Sequence, residues 1–330
     1  MDEINGKTIL ITGGTGSFGQ TFTRLILETC RPKKIIIFSR DEMKQWEMAK
    51  TFTDDKIRFF LGDIRDKDRL LRALTDVDLV IHAAAMKIVP TAEYNPFEYI
   101  KTNINGAMNL IDACIERNVK KIVALSTDKA CNPVNLYGAT KFVSDKLFVS
   151  ANSYSGSDGS RFSVVRYGNV MGSRGSVIPF FLKEKSKKKL PITDLEMTRF
   201  MITLEQGVDL VWTAIKDMQG GEIYVKKIPS MRVTDVAKAI CAKSKQQVIG
   251  IRPGEKIHEQ MISIEDAENT YEYDEFYKIL PQYNLWDENT DMIKNGVKVS
   301  KNFTYSSGEN DHWMTIDELK SWISNNMKDV

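Results

Sequence analysis

Short apolar segments alternate with longer amphipathic ones over the first half of the chain. The predicted strands are Thr8–Thr12, Lys34–Ser39, Ile57–Leu61, Leu79–His82, Lys121–Ser126 and Phe162–Arg166. Between them, helical spacing of apolar residues predicts helices over Phe18–Glu28, Lys67–Leu74, Ile104–Arg117 and Tyr137–Ser150. Strands that alternate with helices form a parallel sheet covered on both faces, and right-handed crossovers make it doubly wound. We therefore predict an α/β fold.

The pattern changes after about residue 166. Loops become longer, and glycine and proline cluster at Gly168, Gly172, Gly175 and Pro179. We expect residues 1–166 to form the sheet domain, completed by parts of 200–225. Residues 167–330 are expected to form mainly a smaller, interleaved C-terminal lobe for substrate and a polar tail with a last helix at Thr315–Asn325.

Composition and charge narrow the class of protein. The 330 residues include 42% hydrophobic and 27% charged residues, which is typical of a globular chain. Lys and Arg number 46 against 44 Asp and Glu, a net charge of +2, so we expect no dedicated nucleic-acid binding. No apolar stretch approaches the ~20 residues of a membrane-spanning helix, and Met1-Asp2-Glu3 does not open a signal peptide. We therefore expect a soluble, cytoplasmic protein without membrane association.

The cysteines and histidines do not form a metal-binding pattern. Four cysteines lie far apart without a Cys-x-x-Cys pair, and none of the three histidines is spaced to share a metal with another. We expect no metal site and no disulfide framework, which suits a reducing compartment.

A glycine-rich turn follows the first predicted strand. In Gly13-Gly14-Thr15-Gly16-Ser17-Phe18-Gly19, both Gly-x-Gly-x-x-Gly and Gly-x-x-Gly-x-x-Gly can be identified. Such glycines allow a tight turn and let backbone N–H groups approach a pyrophosphate at the positive end of a helix. A plain glycine turn is the alternative, but the strand-turn-helix context favours dinucleotide binding. The sheet domain is therefore predicted to be Rossmann-like.

The end of the second strand bears on which dinucleotide binds. An NAD site usually has a carboxylate here for the ribose 2′-OH. This chain has Ser39 and Arg40, with Lys44 one helical turn later, and a guanidinium suits the 2′-phosphate of NADP. Two alternatives stay open: Asp41 could bind the ribose if the register slips by one, or Arg40 and Asp41 could simply begin a helix.

Two further segments follow the third and fourth strands. Asp63 and Ile64 come where an adenine ring would lie, and the small side chains of Ala83 and Ala84 would let a cofactor lie close to the backbone. Small residues also serve sheet–helix packing, so each signal is weak alone.

Tyr137 and Lys141 lie four residues apart on a predicted helix and therefore share one face. A phenol has a pKa of ~10, so a tyrosine base near neutrality needs its pKa lowered by about 3 units, or about 4 kcal/mol. A neighbouring ammonium and a positively charged nicotinamide both favour the phenolate. Such pairs are common structural features, but this one follows the fifth strand of a nucleotide-binding sheet.

These motifs together resemble the extended short-chain dehydrogenase/reductase family. More narrowly, the chain resembles the inverting UDP-N-acetylglucosamine 4,6-dehydratases, and among them the short soluble forms that open pseudaminic acid biosynthesis. The segments that carry the narrower resemblance begin at Ser39, Ala85, Ser126, Tyr167 and Arg252, reading SRDE, AMK, STDKA, YGNV and RPGEK. The resemblance runs from the glycine turn to about Glu259, and it implies a homo-oligomer.

The resemblance implies a reaction and a set of contacts. Tyr137, with Lys141 and Thr127, would take the proton of the sugar 4-OH as hydride moves from C4 to NADP. Water would then leave across C5–C6, and hydride would return to C6, so that NADP is retained and regenerated. The product would be UDP-2-acetamido-2,6-dideoxy-β-L-arabino-hex-4-ulose. The predicted cofactor contacts are Gly13, Thr15, Gly16, Ser17, Phe18, Gly19, Ser39, Arg40, Lys44, Asp63, Ile64, Ala83, Ala84, Lys87, Tyr137, Lys141 and Val170.

Asp128 and Lys129 distinguish the inverting type, because the similar retaining enzymes carry Thr-Asp-Glu where this chain has Thr127-Asp128-Lys129. A lysine can give up or take a proton if burial or neighbours lower its pKa. The resemblance implies that Lys129 handles the C5 proton and that Asp128 helps the 6-OH to leave. The alternative is a solvated ion pair in a loop, worth ~0–1 kcal/mol.

The resemblance also implies contacts to UDP-N-acetylglucosamine. Lys87, Asn169 and Thr193 would line the site, Arg252 would face the pyrophosphate, and Glu255 would accept from the uridine ribose. Two other functions stay open. A sugar-nucleotide 4-epimerase would need neither an elimination acid nor a C5 base, and a catalytically silent NADP-binding sensor would not need the Tyr137/Lys141 pair.

Overall fold

The structure, a computed structural model, describes residues 3–156, 158–173, 175–185, 189–282 and 290–327. Its strands are β1 Thr8–Thr12, β2 Lys34–Ser39, β3 Ile57–Leu61, β4 Leu79–His82, β5 Lys121–Leu125, β6 Arg161–Arg166, β7 Asn169–Val170, β8 Lys189–Ile192, β9 Thr198–Ile202, β10 Ile223–Lys226, β11 Ser230–Arg232, β12 Lys245–Val248, β13 Gln260–Ile262, β14 Thr270–Glu272, β15 Phe276–Ile279, β16 Val297–Lys298 and β17 Tyr305–Ser306.

The α-helices are α1 Ser17–Thr29, α2 Glu42–Thr51, α3 Lys67–Ala73, α4 Val89–Tyr94, α5 Pro96–Tyr99, α6 Gly106–Glu116, α7 Leu136–Ala151, α8 Val177–Glu184, α9 Leu204–Asp217, α10 Val233–Ile240, α11 Ile264–Ala267, α12 Thr290–Ile293 and α13 Ile316–Asn326. A π-helical segment, Ile100–Asn105, precedes α6, and a short 3₁₀ helix, Asp128–Ala130, follows β5.

The central sheet has the order β16-β14-β15-β10-β6-β5-β4-β1-β2-β3. From β10 to β3 neighbouring strands are parallel, while β15, β14 and β16 continue the sheet as antiparallel strands. Every residue of β1 is buried, as expected for a strand covered on both faces. The chain order reverses between β1 and β4, and ligands bind at such a crevice in open α/β sheets. The predicted α/β fold is confirmed.

The predicted strands and helices of the first half are confirmed to within about two residues, with Ile104–Arg117 divided between the π-helical segment and α6. Helix α2 was not predicted as an element of its own. Asp41 begins it as N-cap and accepts from Lys44 N at 3.0 Å, so the alternative that this segment opens a helix is correct for Asp41.

A second, smaller lobe has its own hydrophobic core. Its small sheets have the orders β11-β9-β7, β12-β8 and β13-β17. The second core includes Phe181, Ile192, Met201, Val236 and Leu319. Its residues come from both sides of β10, which lies in the central sheet, so the chain passes between the two regions more than once. The boundary between 166 and 167 stays a prediction.

A buried charged group joins the sheet to the lobe. The Arg166 guanidinium at the end of β6 lies 3.3 Å from Asp145 on α7 and 3.5 Å from Asp266 on α11. It also donates to the Met261 carbonyl at 2.8 Å, and Ser126 donates to Asp145 at 2.7 Å. The side chains of Arg166 and Asp145 are almost fully buried, so each needs the other.

The last helix, predicted at Thr315–Asn325, is confirmed as α13, and Thr315 caps it through a capping box with Glu318. The start of the polar tail, residues 287–289, lies outside the described residues. In the part of the chain that the structure describes, every helix is too short or too polar to traverse a lipid bilayer.

Candidate active site

The glycine turn lies at the crevice between β1 and β4. Gly13 has a φ of +65°, a region that favours glycine. A Cβ on it would come within 2.8 Å of Ala84 N and 2.9 Å of the Ala83 carbonyl oxygen. The turn and the end of β4 are therefore in direct backbone contact, and the structure brings Gly13, Ala83 and Ala84 together as predicted.

The start of α1 is open for an anion. Its N-cap is Gly16, which has no side chain to bond the first N–H groups of the helix. Ser17 is exposed beside it, and the hydroxyls of Thr15 and Ser39 lie 2.9 Å apart, joining the turn to β2. The Phe18 ring stacks on Phe22 in the core, so Phe18 offers a ligand only its backbone. These features fit a pyrophosphate at a helix N-terminus.

Arg40 and Lys44 lie at the end of β2, but each has an acidic partner. Lys44 Nζ lies 2.9 Å from Asp41, and Arg40 Nη1 lies 3.8 Å from Asp63. The Arg40 side chain is 56% exposed, so it is accessible to a phosphate. Asp41 already accepts from the Lys44 backbone N–H as helix cap, which disfavours the hypothesis that its carboxylate binds a ribose.

The Asp63 segment borders the same crevice. Arg65 donates to both carboxylate oxygens of Asp63, with distances of 2.8 to 3.1 Å. Burial acts to raise the pKa of Asp63, but Arg65 outweighs it, and the pKa is lowered. Ile64 is buried against Gly106 of α6, so any contact to an adenine from Ile64 would use its backbone.

Tyr137 and Lys141 are both buried on α7. The helix begins at Asn135, which accepts from Gly138 N at 2.7 Å. Gly138 has a specific role here, because a Cβ on it would collide with the Lys129 carbonyl oxygen. The glycine thus allows the Tyr137 turn to lie directly against the loop that carries Asp128 and Lys129.

Lys141 is a buried amine without a direct partner. Among the described residues its Nζ forms no hydrogen bond or ion pair, although Asp145 acts on it from farther away. Burial lowers its pKa, and Asp145 offsets part of this. A buried amine without a partner is available to donate hydrogen bonds to the ribose hydroxyls of a bound nucleotide.

His82 is buried at the end of β4 and was predicted only as a strand end. Its Nδ1 lies 2.8 Å from the Thr12 hydroxyl, which also bonds Ala84 N at 3.3 Å. Burial, with help from the Lys141 charge, lowers the pKa of His82 to about 3. The imidazole is therefore neutral near pH 7, and it fixes the strand end that contacts the glycine turn.

Lys129 lies inside a cluster of acceptors. Its Nζ is 3.0 Å from Asp128 Oδ1, 3.2 Å from Asn169 Oδ1 and 3.3 Å from Glu259 Oε1. The Asp128 side chain is fully buried and that of Lys129 is 20% exposed. The alternative of a solvated loop ion pair is therefore wrong, because water is largely excluded from this pair.

Burial and neighbouring charges act in opposite directions on the pKa values of the cluster. Burial acts to lower the pKa of Lys129, but Asp128 and Glu259 outweigh it, so its pKa is raised rather than lowered. Burial raises the pKa of Asp128, with Lys129 acting against it. For Glu259 burial acts upward, but Lys129 and Arg199 lower its pKa overall.

The chain's own residues do not lower the pKa of Tyr137. Burial raises the pKa of Tyr137 to about 12, against the lowering effects of Lys129 and the Thr127 hydroxyl. The cation that acts most on this phenol is thus Lys129, whereas the sequence analysis expected Lys141. Thr127 donates to Asp128 at 2.9 Å and so belongs to the same cluster.

Four other predicted substrate contacts lie in two places, the cluster around Lys129 and a turn beside the start of α7. Asn169 and Lys87 lie at the cluster, since Asn169 bonds Lys129 and the Lys129 charge adds to burial in lowering the Lys87 pKa. Arg252 and Glu255 form an ion pair of 3.5 Å in a turn that Asn135 contacts at the Gly254 carbonyl. This turn therefore lies beside the start of α7.

Thr193 and Val170 occupy the lobe. Thr193 is buried directly after β8, which pairs with β12, the strand that leads toward Arg252. Val170 ends β7, one residue after Asn169.

Sequence reasoning missed several residues of the site. Glu259 and Arg199 are far from Lys129 in the chain, and no local spacing connects them to it. Asn103 on the π-helical segment was also missed; its amide donates to the Met86 carbonyl at 2.9 Å and to Thr140 on α7 at 3.0 Å. Within the described ranges, no group of three or more metal-ligand side chains occurs.

Comparison with known proteins identifies the family of this chain. The model of a family described as polysaccharide biosynthesis protein matches residues 9–281. The chain is 57% identical to a UDP-N-acetylglucosamine 4,6-dehydratase (inverting) of Campylobacter jejuni subsp. jejuni (strain 81-176), over 97% of this chain and 98% of the relative.

Two solved structures are similar. Pen from Bacillus thuringiensis has a TM-score of 0.88 and 37% identity, over 98% of both chains. DesIV, a dTDP-glucose 4,6-dehydratase from Streptomyces venezuelae solved with NAD and TYD bound, has a TM-score of 0.68 at 21% identity, over 76% of this chain and 86% of that one. The second likeness concerns the fold alone.

Proposed function

Since this chain belongs to the polysaccharide biosynthesis protein family, within the extended short-chain dehydrogenases/reductases, we propose that it removes water from UDP-N-acetylglucosamine. The reaction is 4,6-dehydration with inversion at C5, which makes the enzyme a hydro-lyase. The observation that carries the proposal is the buried pair Asp128 and Lys129 directly beside Tyr137. Such a pair supplies the proton transfers that an elimination needs and a simple oxidation does not.

The cofactor of the proposed reaction is NADP, which stays bound through the cycle. When bound, it supplies a centre that accepts hydride from C4 of the sugar and returns it to C6. The glycine turn would hold its pyrophosphate, since Gly13 and Gly16 leave the backbone accessible. Lys141 would donate to its ribose, and the exposed Arg40 would meet the 2′-phosphate.

Tyr137 takes the proton of the sugar 4-OH in this mechanism. Because burial raises its pKa to about 12, it needs further positive charge to act near neutrality. The value of about 12 already includes the lowering effect of Lys129, so the further positive charge would come from a nicotinium ring.

Asp128 and Lys129 act at the neighbouring carbons. Burial raises the pKa of Asp128, and its Oδ2 has no hydrogen-bond partner among the described residues, so Asp128 can take up a proton there during the reaction and donate it to the leaving 6-OH. Lys129 handles the C5 proton, held in place by Asn169 and Glu259. A 4-epimerase would gain nothing from an acid and an ammonium buried at this position, which favours the dehydratase over that alternative.

Substrate contacts would come from both regions of the chain. Lys87 reaches the cluster from the sheet domain, and Asn169, Thr193, Arg252 and Glu255 belong to the lobe. Arg252 is 56% exposed in its ion pair with Glu255, so it can turn to the pyrophosphate while Glu255 accepts from the uridine ribose.

Incubation of the purified protein and NADP with UDP-N-acetylglucosamine in D₂O, followed by NMR, tests the proposal. We expect a 4-keto-6-deoxy sugar with inverted C5 and deuterium at C5. Lys129→Met should abolish dehydration while the cofactor still binds. A 4-epimer, unchanged substrate, or continued deuterium incorporation at C5 in Lys129→Met would contradict the assignment.

We further propose that the enzyme works in the cytoplasm as a homo-oligomer and that its product enters pseudaminic acid synthesis. The four cysteines are free thiols, which suits a reducing compartment. Tyr94 and Phe97 are highly exposed aromatic side chains that offer apolar surface for contact between copies. Sedimentation would measure the assembly.

A further inference from the structure

Glu259 contacts Lys129 from the lobe, 130 residues later in the chain. One lysine Nζ thus has three oxygen acceptors, Asp128 Oδ1, Asn169 Oδ1 and Glu259 Oε1, within 3.3 Å. An ammonium has three N–H donors and no acceptor capacity. The number and positions of the oxygens therefore match the protonated form of Lys129, whereas a neutral amine would present its lone pair to one of them.

The position of Glu259 is fixed by its neighbours. Its backbone N–H donates to Ser307 Oγ at 2.9 Å, and its carbonyl accepts from Ser307 N at 2.8 Å. Arg199 Nε on β9 lies 3.7 Å from the carboxylate oxygen that meets Lys129. The carboxylate is almost fully buried, and its second oxygen, Oε2, has no partner among the described residues.

The charges around Lys129 come from every element that packs against it. Asp128 and Glu259 are negative; Arg199 and Lys87 are positive; Tyr137 is neutral but titratable, and Lys256 acts on Glu259 from the side. With Arg199 and Lys87 opposing the positive charge of Lys129, one carboxylate would give a weaker bias. Two buried carboxylates within 3.3 Å of Nζ make the ammonium the favoured state.

We propose that Glu259 is a positioning residue that holds Lys129 as an ammonium, and that dehydration requires this charged form. The inference rests on the proposed dehydratase reaction. It assigns Lys129 the part of donor of the new C5 proton. The Asp128 carboxylate takes the original C5 proton and passes it to the 6-OH, which leaves as water; Lys129 then protonates C5 on the opposite face, and the proton that Tyr137 took from the 4-OH balances this loss through solvent. The lobe that carries Glu259 thereby becomes a determinant of protonation in the sheet domain.

Direct observation of the Lys129 side chain tests the charge. The protein is labelled with ¹⁵N-lysine, and the Nζ signal that disappears in Lys129→Met is assigned to Lys129. At about pH 10, near the ordinary pKa of lysine, wild-type Lys129 should remain an ammonium. In Glu259→Gln, which keeps the side-chain size, its pKa should fall by about 1–3 units. Glu259→Asp keeps the charge and should retain most of the effect.

The pH dependence of turnover tests the link to catalysis. In Glu259→Gln, an alkaline decrease in kcat should appear at the pKa measured for Lys129 in that variant. KM for UDP-N-acetylglucosamine at neutral pH should change less than kcat, since Glu259 acts through Lys129. Glu222→Gln is the matched control, because Glu222 is equally buried but bonds Ser163 and the N–H groups of Gln219 and Gly220.

Each outcome decides the matter. An unchanged Lys129 pKa in Glu259→Gln, an equal change in Glu222→Gln, or a kcat that increases as Lys129 loses its proton would overturn the inference. These results are separable from a failure of the proposed function, because the NMR titration needs no turnover. If the wild-type protein left UDP-N-acetylglucosamine unchanged, the reaction assignment would be wrong whatever the titration gave.

Discussion

Substitution of Gly13 by alanine should damage the nucleotide site in a measurable way. Alanine at a φ of +65° costs about 1–2 kcal/mol in backbone conformation. The new Cβ would also lie 2.8 Å from Ala84 N and 2.9 Å from the Ala83 carbonyl carbon and oxygen, all of them backbone atoms. Overpacking of this kind adds about 1–3 kcal/mol. The expected loss of unfolding free energy is therefore about 2–5 kcal/mol.

Gly6→Ala is the matched control, because Gly6 has a φ of +70° but no atom within 4 Å of the new Cβ. It should cost only the backbone part, about 1–2 kcal/mol. Urea unfolding measures both losses, and NADP titration by fluorescence should show affinity reduced at least about tenfold in Gly13→Ala alone. Equal stability losses in both variants, or NADP affinity unchanged in Gly13→Ala, would refute the contact between the turn and β4.

Three further outcomes are expected. Arg40→Ala should weaken NADP by about 1.5–3 kcal/mol and NAD much less, and equal weakening in titrations of both would contradict a 2′-phosphate contact. In the unfolded chain His82 binds a proton below about pH 6.5, whereas in the folded protein its pKa is about 3. The free energy of unfolding should therefore fall as pH decreases from 6.5, by at most about 1.4 kcal/mol per pH unit. In His82→Asn the dependence of this free energy on pH should be weaker. Arg166→Met should destabilise by about 3–5 kcal/mol in urea unfolding, because Asp145 stays buried without its cation, and a loss below 1 kcal/mol would show that the pair is dispensable.

The central strands could be predicted from sequence because strands buried on both faces are short, nearly continuous apolar runs. Helix α2 lacks such a signal: its buried residues are only Gln45 and Met48. Asp41, its cap, drew attention as a possible ribose ligand for the same reason that it caps well, since its carboxylate accepts from N–H and O–H donors alike.

The site residues that are close in sequence could be predicted, and those that meet only through packing could not. The spacing of Tyr137 and Lys141 within one helix and the adjacency of Asp128 and Lys129 are local, so sequence suffices to find them. Glu259 meets Lys129 only through the packing of the lobe, 130 residues later in the chain. Sequence alone left the direction of the Lys129 pKa shift open, because burial lowers this pKa while Asp128 and Glu259 raise it. A glutamate directly before the short strand Gln260–Ile262 was the available signal.

The hydrogen bonds between Ser307 and Glu259 make the polar segment near the end of the chain part of the support of the site. Ser307 lies beyond residue 281, where the family match stops. Its hydroxyl nevertheless accepts a hydrogen bond from the backbone N–H of Glu259, whose carboxylate contacts Lys129. Chain ends are the usual places to attach tags or trim a protein, and such edits are judged safe when the affected backbone is exposed and unbonded. Here a truncation that reached this serine would also remove α13, whose Leu319 belongs to the second core, so it would cost both the support of Glu259 and part of the fold.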